Sequence, residues 1–269
     1  ISVSGSARAF ADWARQHIRN KRDARLLTVF LGCVVFIDDY FNSLVVGSIS
    51  RPLTDRYQVS RAKLAYLLDS TAAPICVISP VSSWGAYIIA LIGGILATHG
   101  MADAGHFNVF IEMIPMNFYA IFALLLLIAV AIWDLDIGPM RAHELNAQKG
   151  ELYDEAKGTP PGTDPDLPEA DTGKIIGLFL PIAVLVFATV YFMISSGAQA
   201  LADSDKAFSI IGAFEKTDVA YSLFFGSMIG FATTLIMVFV QGTPKSFINK
   251  GVYKGALSML PAIYILLFA

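Results

Sequence analysis

Charged residues are scarce in this sequence, at 15% of 269 residues, whereas hydrophobic residues make up 55%. A soluble domain usually has about 25% charged residues, so this composition excludes an ordinary soluble protein. The mean hydropathy of +0.61 and several apolar runs of about 20 residues predict an all-α protein that crosses a membrane several times. The net charge of −3 gives no sign of a nucleic-acid partner.

Cysteine and histidine are also few. Cys33 and Cys76 lie in separate apolar segments, so neither a disulfide framework nor a cysteine metal site is expected. The four histidines lack the spacing of metal ligands, and no cofactor is predicted. The apolar parts of segments 114–133, 175–195 and 219–240 contain no acidic residue, which predicts that these helices serve as scaffold.

Against this background, two adjacent acids stand out inside the apolar run 26–49. Asp38 and Asp39 follow twelve residues of mostly apolar sequence that begins at Leu26. A carboxylate at the bilayer centre costs about 2.5–3.5 kcal/mol on insertion scales, so an intramembrane acid indicates a functional site that binds a cation or a proton. Twelve helical residues span about 18 Å, which would place both acids near the middle of the membrane.

The distribution of Lys and Arg predicts how this run meets the membrane. If residues 26–49 cross it, the two sides receive eleven and eight basic residues, but if the run enters and returns, the division is seventeen to two. The positive-inside rule favours the second arrangement. Residues 26–49 are therefore predicted to form a re-entrant helical hairpin that opens to the cytoplasm, with a simple spanning helix as the alternative.

The next apolar segment, 64–97, carries polar and helix-breaking residues. Asp69, Ser70 and Thr71 precede Pro74 and Pro80, each of which removes an intrahelical hydrogen bond. We expect the helix to break between Asp69 and residue 85, and freed carbonyls beside side-chain oxygens are how secondary transporters coordinate Na⁺. A kinked helix whose hydroxyl groups bond their own backbone is the alternative.

The stretches FIDDYFNSLVVGSISRPLTDRY and SRAKLAYLLDSTAAPICVISPVSSWGAYI resemble the NhaC-type Na⁺/H⁺ antiporter family of the ion transporter superfamily. The similarity is dense over residues 26–90 and weaker over the rest, including KGALSMLPAIYIL. The resemblance implies a multi-pass protein of the cytoplasmic (inner) membrane that exchanges Na⁺ for H⁺. It also implies inverted repeats, of which this chain would contain one half as a fragment of a longer protein.

Combined with this resemblance, the residue pattern predicts a transport site rather than a catalytic one. Asp38 or Asp39 is expected to exchange protons for Na⁺. The expected Na⁺ ligands are Asp39 and Asn42 on the hairpin and Asp69, Ser70 and Thr71 on the broken helix, with Ser43 beside them. The expected partners are Na⁺, H⁺ and membrane lipid, and a homodimer is an open alternative.

The segments expected along the chain are a cytoplasmic basic segment (1–25), the re-entrant hairpin (26–49), a loop and broken transmembrane helix with the transport site (50–97), an extracytoplasmic loop and transmembrane helix (98–133), a flexible cytoplasmic linker (134–174), two scaffold helices (175–240), and a loop with the start of a truncated second repeat (241–269).

Other functions remain open from the sequence. An ion-coupled exchanger of organic substrates, such as malate for lactate, would share the fold, and Ser79, Ser82 and Ser83 hint at room for such a substrate. An intramembrane aspartyl protease would need Asp39 and Asp69 as a dyad, but its glycine-flanked GxGD element is absent from the sequence. A passive channel is a further alternative.

Overall fold

The computed structural model describes residues 2–101, 105–158, 168–204 and 207–268, and within these ranges it contains helices but no strand. The α-helices in chain order are α1 (Ser6–His17), α2 (Lys21–Val34), α3 (Asp39–Arg56), α4 (Arg61–Ile78), α5 (Ser83–Thr98), α6 (His106–Met113), α7 (Phe118–Trp133), α8 (Pro139–Gln148), α9 (Ile176–Ala202), α10 (Ile210–Glu215), α11 (Val219–Val240) and α12 (Lys245–Phe268).

Side-chain caps determine where many of these helices begin. A polar side chain at the N-cap accepts a backbone N–H of the first turn, which satisfies one of the donors that a helix leaves free at its start. Such caps precede six of the helices that concern the site and its scaffold: Asn20, Asp38, Ser60, Ser82, Asn117 and Asp218.

Helices α2 and α3 lie side by side as an antiparallel pair. Their connection, residues 35–38, is at one end, and the opposite ends meet where the Tyr57 hydroxyl donates a hydrogen bond to the Ile18 carbonyl at 2.5 Å. Near the connection, Asn42 Nδ2 donates to the Gly32 carbonyl at 2.7 Å. The two helices therefore form a helical hairpin, whose connection we call the hairpin break and whose opposite end we call the hairpin base.

Apolar packing fixes this hairpin against its neighbours on two sides. One buried cluster joins α1, α2, α3 and α9 through residues such as Phe10, Leu31, Val46 and Leu178. A second joins α2 to α4 and α7, and its buried members are Val29, Leu67, Leu127 and Ala131. Because α2 contributes to both clusters, it packs against α1, α3 and α9 through one of them and against α4 and α7 through the other.

Helices α9 and α11, which the sequence predicts to serve as scaffold, pack closely against each other. A Cβ added at Gly226 would lie 2.2 Å from Thr189 Oγ1, and one at Gly230 would lie 2.9 Å from Leu185 Cβ. Small residues at these positions let the two backbones approach closely, as is common between membrane helices.

Among the described residues, three stretches are long and apolar enough to cross a membrane: Arg61–Thr98, Ile176–Ala202 and Val219–Val240. A fourth is formed by His106–Met116 and Phe118–Trp133 if these two parts, bent by 51° at their junction, count as one span. The prediction of an all-helical protein with several candidate spans is confirmed. The hairpin α2–α3 is not one of these stretches.

Two regions expected to be loops contain helices. Within the predicted linker 134–174, α8 is formed and its Glu144 is only 2% exposed. Within the predicted loop 241–254, α12 begins at Lys245 and continues into the apolar run that follows. Part of the linker, residues 159–167, lies outside the described residues.

Candidate functional site: the crossing of two helix breaks

The hairpin break ends at two carboxylates. Asp38 has an extended backbone and caps α3, because its Oδ1 accepts the Phe41 N–H at 2.9 Å. Asp39 is the first residue of α3, and its Oδ1 accepts the Tyr40 N–H at 2.9 Å. Both side chains are partly buried, and both lie at a helix N-terminus, where negative charge is favourable.

A second break, residues 79–82, separates α4 from α5. Ser82 is buried and its Oγ accepts the Gly85 N–H at 2.9 Å, which caps α5, while it donates to the Cys76 carbonyl at 2.5 Å. A Cβ on Gly85 would lie 1.9 Å from the Ser79 carbonyl oxygen, so only glycine allows the first turn of α5 to sit this close to the end of α4. We call this the α4–α5 break.

The two breaks are in direct contact. Ser83 at the start of α5 donates its N–H to the Ile37 carbonyl at 2.8 Å, and its Oγ donates to Asp38 Oδ2 at 3.1 Å. Cys76 near the end of α4 donates its thiol to the Phe36 carbonyl at 3.2 Å. We call this contact the break crossing, and it gathers one carboxylate, one hydroxyl group and two carbonyl groups.

Asn42 lies one helical turn after Asp38, on the same face of α3. Its side chain is fully buried, and Nδ2 is used by the Gly32 carbonyl, but Oδ1 has no hydrogen-bond partner in the part of the chain that the structure describes. A buried amide oxygen without a partner is costly unless a ligand or water fills the space beside it. Ser43 instead uses its hydroxyl within α3, donating to the Asp39 carbonyl at 3.0 Å.

The position of the second break differs from the prediction in one respect. The chain does break before residue 85, and Pro80 lies in the break, but Pro74 does not end the helix and is buried inside α4. A single missing N–H is tolerated when packing holds the remaining turns. The prediction that Pro74 is a helix-breaking residue is therefore wrong.

Consequently, Asp69, Ser70 and Thr71 lie in an intact stretch of α4 rather than in an unwound turn. The Asp69 side chain is exposed, and Thr71 is buried with its hydroxyl donating to the Leu67 carbonyl at 2.5 Å. Ten residues of helix separate Asp69 from Ser79, a distance of about 15 Å. Thr71 still approaches the hairpin, because a Cβ on Gly32 would lie 2.5 Å from its Cγ2.

The structure thus brings Asp38 to the α4–α5 break, places Asn42 one helical turn further along α3, and leaves Asp69 apart from the break. The contact of Ser83 with Asp38 was not predicted, although the serines around Pro80 were noted as room for an organic substrate. The carbonyl groups of Phe36 and Ile37 carry no signal in the sequence, because any residue supplies a carbonyl. Among the described hydrogen bonds none joins Asp39 to Asp69, so the protease dyad gains no support.

A second group of charges lies at the hairpin base. The carboxylates of Asp134, Asp136 and Glu144 lie within 4.8 Å of one another, the one such group of potential metal ligands in the described residues. Each already pairs with a cation: Lys63 with both aspartates, Arg25 with Asp134, and Lys21 with Glu144. Three cations offset three anions, so the cluster is neutral without a metal.

Comparison with known proteins identifies a family for this chain. Residues 75–269 match the family model described as the Na⁺/H⁺ antiporter family. This chain belongs to that family. It is also 48% identical over 273 residues to an uncharacterized protein of Haemophilus influenzae, a match that covers all of the present chain and 50% of the relative. The chain therefore spans about half the length of that relative.

The matched stretch begins just before Cys76, so it contains the α4–α5 break and the scaffold helices but not the hairpin. No solved structure matches this chain. Family membership agrees with the apolar helices in indicating a membrane protein.

Proposed function

We propose that this protein is an NhaC-type antiporter that exchanges Na⁺ for H⁺ at the break crossing. Membership of the Na⁺/H⁺ antiporter family supports the exchange, and the contact of Ser83 with Asp38 and the Ile37 carbonyl supports the location. That contact carries the proposal, because it brings an acid together with backbone and hydroxyl oxygens at two interrupted helices. Na⁺ is a hard cation that prefers such oxygen ligands.

In this proposal, Asp38 is the group that exchanges the two ions. Its Oδ2 faces Ser83, whereas Asp39 lies one residue, or about 100° of helix rotation, further on. A carboxylate can hold either a proton or a Na⁺ ion, so binding of Na⁺ releases the proton and no separate proton carrier is needed. The unpartnered Oδ1 of Asn42, one helical turn after Asp38, is the further oxygen that we propose as a ligand.

We further propose that the hairpin is re-entrant and opens to the cytoplasm, in an inner-membrane protein built from inverted repeats. The uneven distribution of Lys and Arg supports this orientation. The ion pairs of Arg25 and Lys63 with the same Asp134 also support it, since they hold the sequences before and after the hairpin at one end of the molecule. A hairpin tip inside the membrane is tolerated because its backbone groups bond α4 and α5.

Transport by the full-length protein in proteoliposomes tests this function. A Na⁺ gradient is imposed and the internal pH is followed with a trapped dye, for the wild type and for Asp38→Asn, Asp39→Asn and Asp69→Asn. We expect Asp38→Asn to abolish Na⁺-driven proton movement, and Asp69→Asn to retain it as the matched control. Wild-type exchange by Asp38→Asn would exclude the proposed role of this carboxylate.

A further inference from the structure

The charges at the hairpin base form a partly buried network that joins three helices. Lys63 of α4 is fully buried, and its Nζ lies 2.9 Å from Asp134 Oδ1 and 2.5 Å from Asp136 Oδ1. Arg25 of α2 is also buried; it pairs with Asp134 and donates from Nε to the Ala131 carbonyl of α7 at 3.2 Å. The start of the hairpin and the start of α4 are thus tied together through the end of α7.

Glu144 extends this network to α8. Its Oε1 accepts the Ser60 N–H at 2.8 Å, at the N-cap of α4, and its Oε2 pairs with Lys21 at the start of α2. The same two elements, the hairpin and α4, are therefore joined a second time by a buried carboxylate. We call the six charged groups Lys21, Arg25, Lys63, Asp134, Asp136 and Glu144 the base cluster.

Stability alone does not account for the base cluster. Buried ion pairs lose their hydration, and apolar residues of similar volume often stabilise a protein as well or better. Asp134 has a left-handed backbone with φ 55°, as residues at the C-terminal end of a helix often do. It is this conformation that ends α7 and places the Asp134 carboxylate between Arg25 and Lys63.

Water can reach one side of the base cluster. A cleft of about 210 Å³ is lined by Asp134, Asp136, Arg141, Glu144, Leu145 and Gln148. The Asp134 side chain is 42% exposed while that of Lys63 is 0% exposed. Water from the cleft could therefore solvate the carboxylates if the cations moved away from them.

The base cluster connects the two elements that carry the helix breaks. The cluster holds the hairpin and α4 together at the hairpin base, and the same two elements meet again at the break crossing. We propose that the base cluster is a lock that prevents the hairpin and α4 from separating at the base, and that its ion pairs separate when the break crossing becomes accessible from that side. This inference rests on the proposed function, but the experiment that tests it measures the reactivity of Cys76 and does not depend on transport.

Cys76 provides a native reporter at the break crossing, because its side chain is buried and its thiol contacts the Phe36 carbonyl. In the full-length protein with Cys33→Ser, the rate of modification of Cys76 by a membrane-impermeant methanethiosulfonate is measured in vesicles of both orientations. A separate variant, Lys149→Cys, reports the orientation of the vesicles, because residue 149 is exposed just after α8. Vesicles in which this cysteine reacts are those that present the hairpin base to the reagent.

Removing one carboxylate should open the lock. Asp136→Asn keeps the shape of the side chain but loses the charge that faces Lys63, so we expect Cys76 to react at least about ten-fold faster from the base side, with no change from the other side. The matched control is Glu169→Gln, which removes an acid from the exposed ion pair with Arg8 and should leave the rate unchanged.

A second variant excludes effects of an unpaired buried charge. Lys63→Met with Asp136→Asn removes both partners and should also accelerate the reaction, at a temperature well below unfolding. An unchanged rate in both folded variants, or an equal increase from both sides, would overturn the lock. Faster base-side labelling together with an absence of Na⁺/H⁺ exchange in the wild type would retain the lock and refute the proposed function instead.

Discussion

Gly32 should be the position on the hairpin that least tolerates a larger residue. A Cβ at this position would lie 2.5 Å from Thr71 Cγ2 and 3.0 Å from Thr71 Cβ, whereas carbon atoms normally approach to about 3.5–4.0 Å. Gly32→Ala must therefore separate α2 from α4 by up to about 1 Å. Overpacking of this kind typically costs about 1–3 kcal/mol in the free energy of unfolding.

A double-mutant cycle with Thr71 assigns this cost to the contact. Thr71→Ala removes Cγ2, and the loss of a buried methyl group should cost about 1 kcal/mol by itself. Because the methyl group introduced by Gly32→Ala would then occupy part of the space that Thr71 leaves, the double variant should be more stable than the sum of the two changes by about 1 kcal/mol or more. The assay is thermal unfolding in detergent, where 1 kcal/mol corresponds to about 2–4 °C.

Gly94→Ala is the matched control, since it makes the same substitution in the interior of α5 where a Cβ would meet no atom within 4 Å. It should stabilise the protein by about 0.5–1 kcal/mol, because glycine is the poorer helix former. Additive effects of Gly32→Ala and Thr71→Ala, or equal Tm values for Gly32→Ala and Gly94→Ala, would refute the close approach of α2 to α4.

Asp38→Asn should keep both the cap of α3 and an acceptor for Ser83, so its Tm should stay near that of the wild type, whereas Asp38→Ala should lose about 2 kcal/mol, measured by the same unfolding assay. Ser82→Ala should lose the cap of α5 and cost about 1–2 kcal/mol, and Ser82→Asn, which can still cap, should recover part of this. For Glu144, burial by itself would raise the pKa, but hydrogen bonds from its cationic partner and from Ser60 hold the pKa below its ordinary value of 4.5. Its ionised form therefore stabilises the fold above pH 4.5, and the Tm difference between the wild type and Glu144→Gln should shrink as the pH falls below that value; a difference that grows on acidification would contradict this assignment.

The sequence was sufficient to predict the helical class and the position of the first interruption. Asp38 is both an acid inside an apolar run and a good N-cap, so the same residue marks the site and starts α3. The second interruption was predicted less well, because proline was given more weight than capping. Ser82 caps α5, whereas no new helix is capped immediately after Pro74, and α4 continues through it.

Contacts between distant parts of the chain were the least predictable. Lys63 and Asp136 lie 73 residues apart, and nothing in a single sequence indicates that they pair. Asp134 and Asp136 fall within the predicted flexible linker 134–174, and charges on such a linker are usually solvated. Their partners become evident only when α7 and α8 are packed against the start of α4.

The hairpin and α4 are joined at both ends, but by interactions of different strength. At the break crossing, Ser83 and Cys76 contribute three hydrogen bonds to the hairpin, each worth about 1 kcal/mol net or less for the thiol. A ligand at 100 times its Kd stabilises the state that it binds by about 2.7 kcal/mol, which is about the size of those three bonds together. At the hairpin base, leaving one buried charge without its partner costs about 3–5 kcal/mol, which exceeds that supply. Ion binding alone would therefore move the break crossing and leave the base cluster closed. The base can separate only where water replaces the lost partners, and the cleft beside Asp134 offers such water.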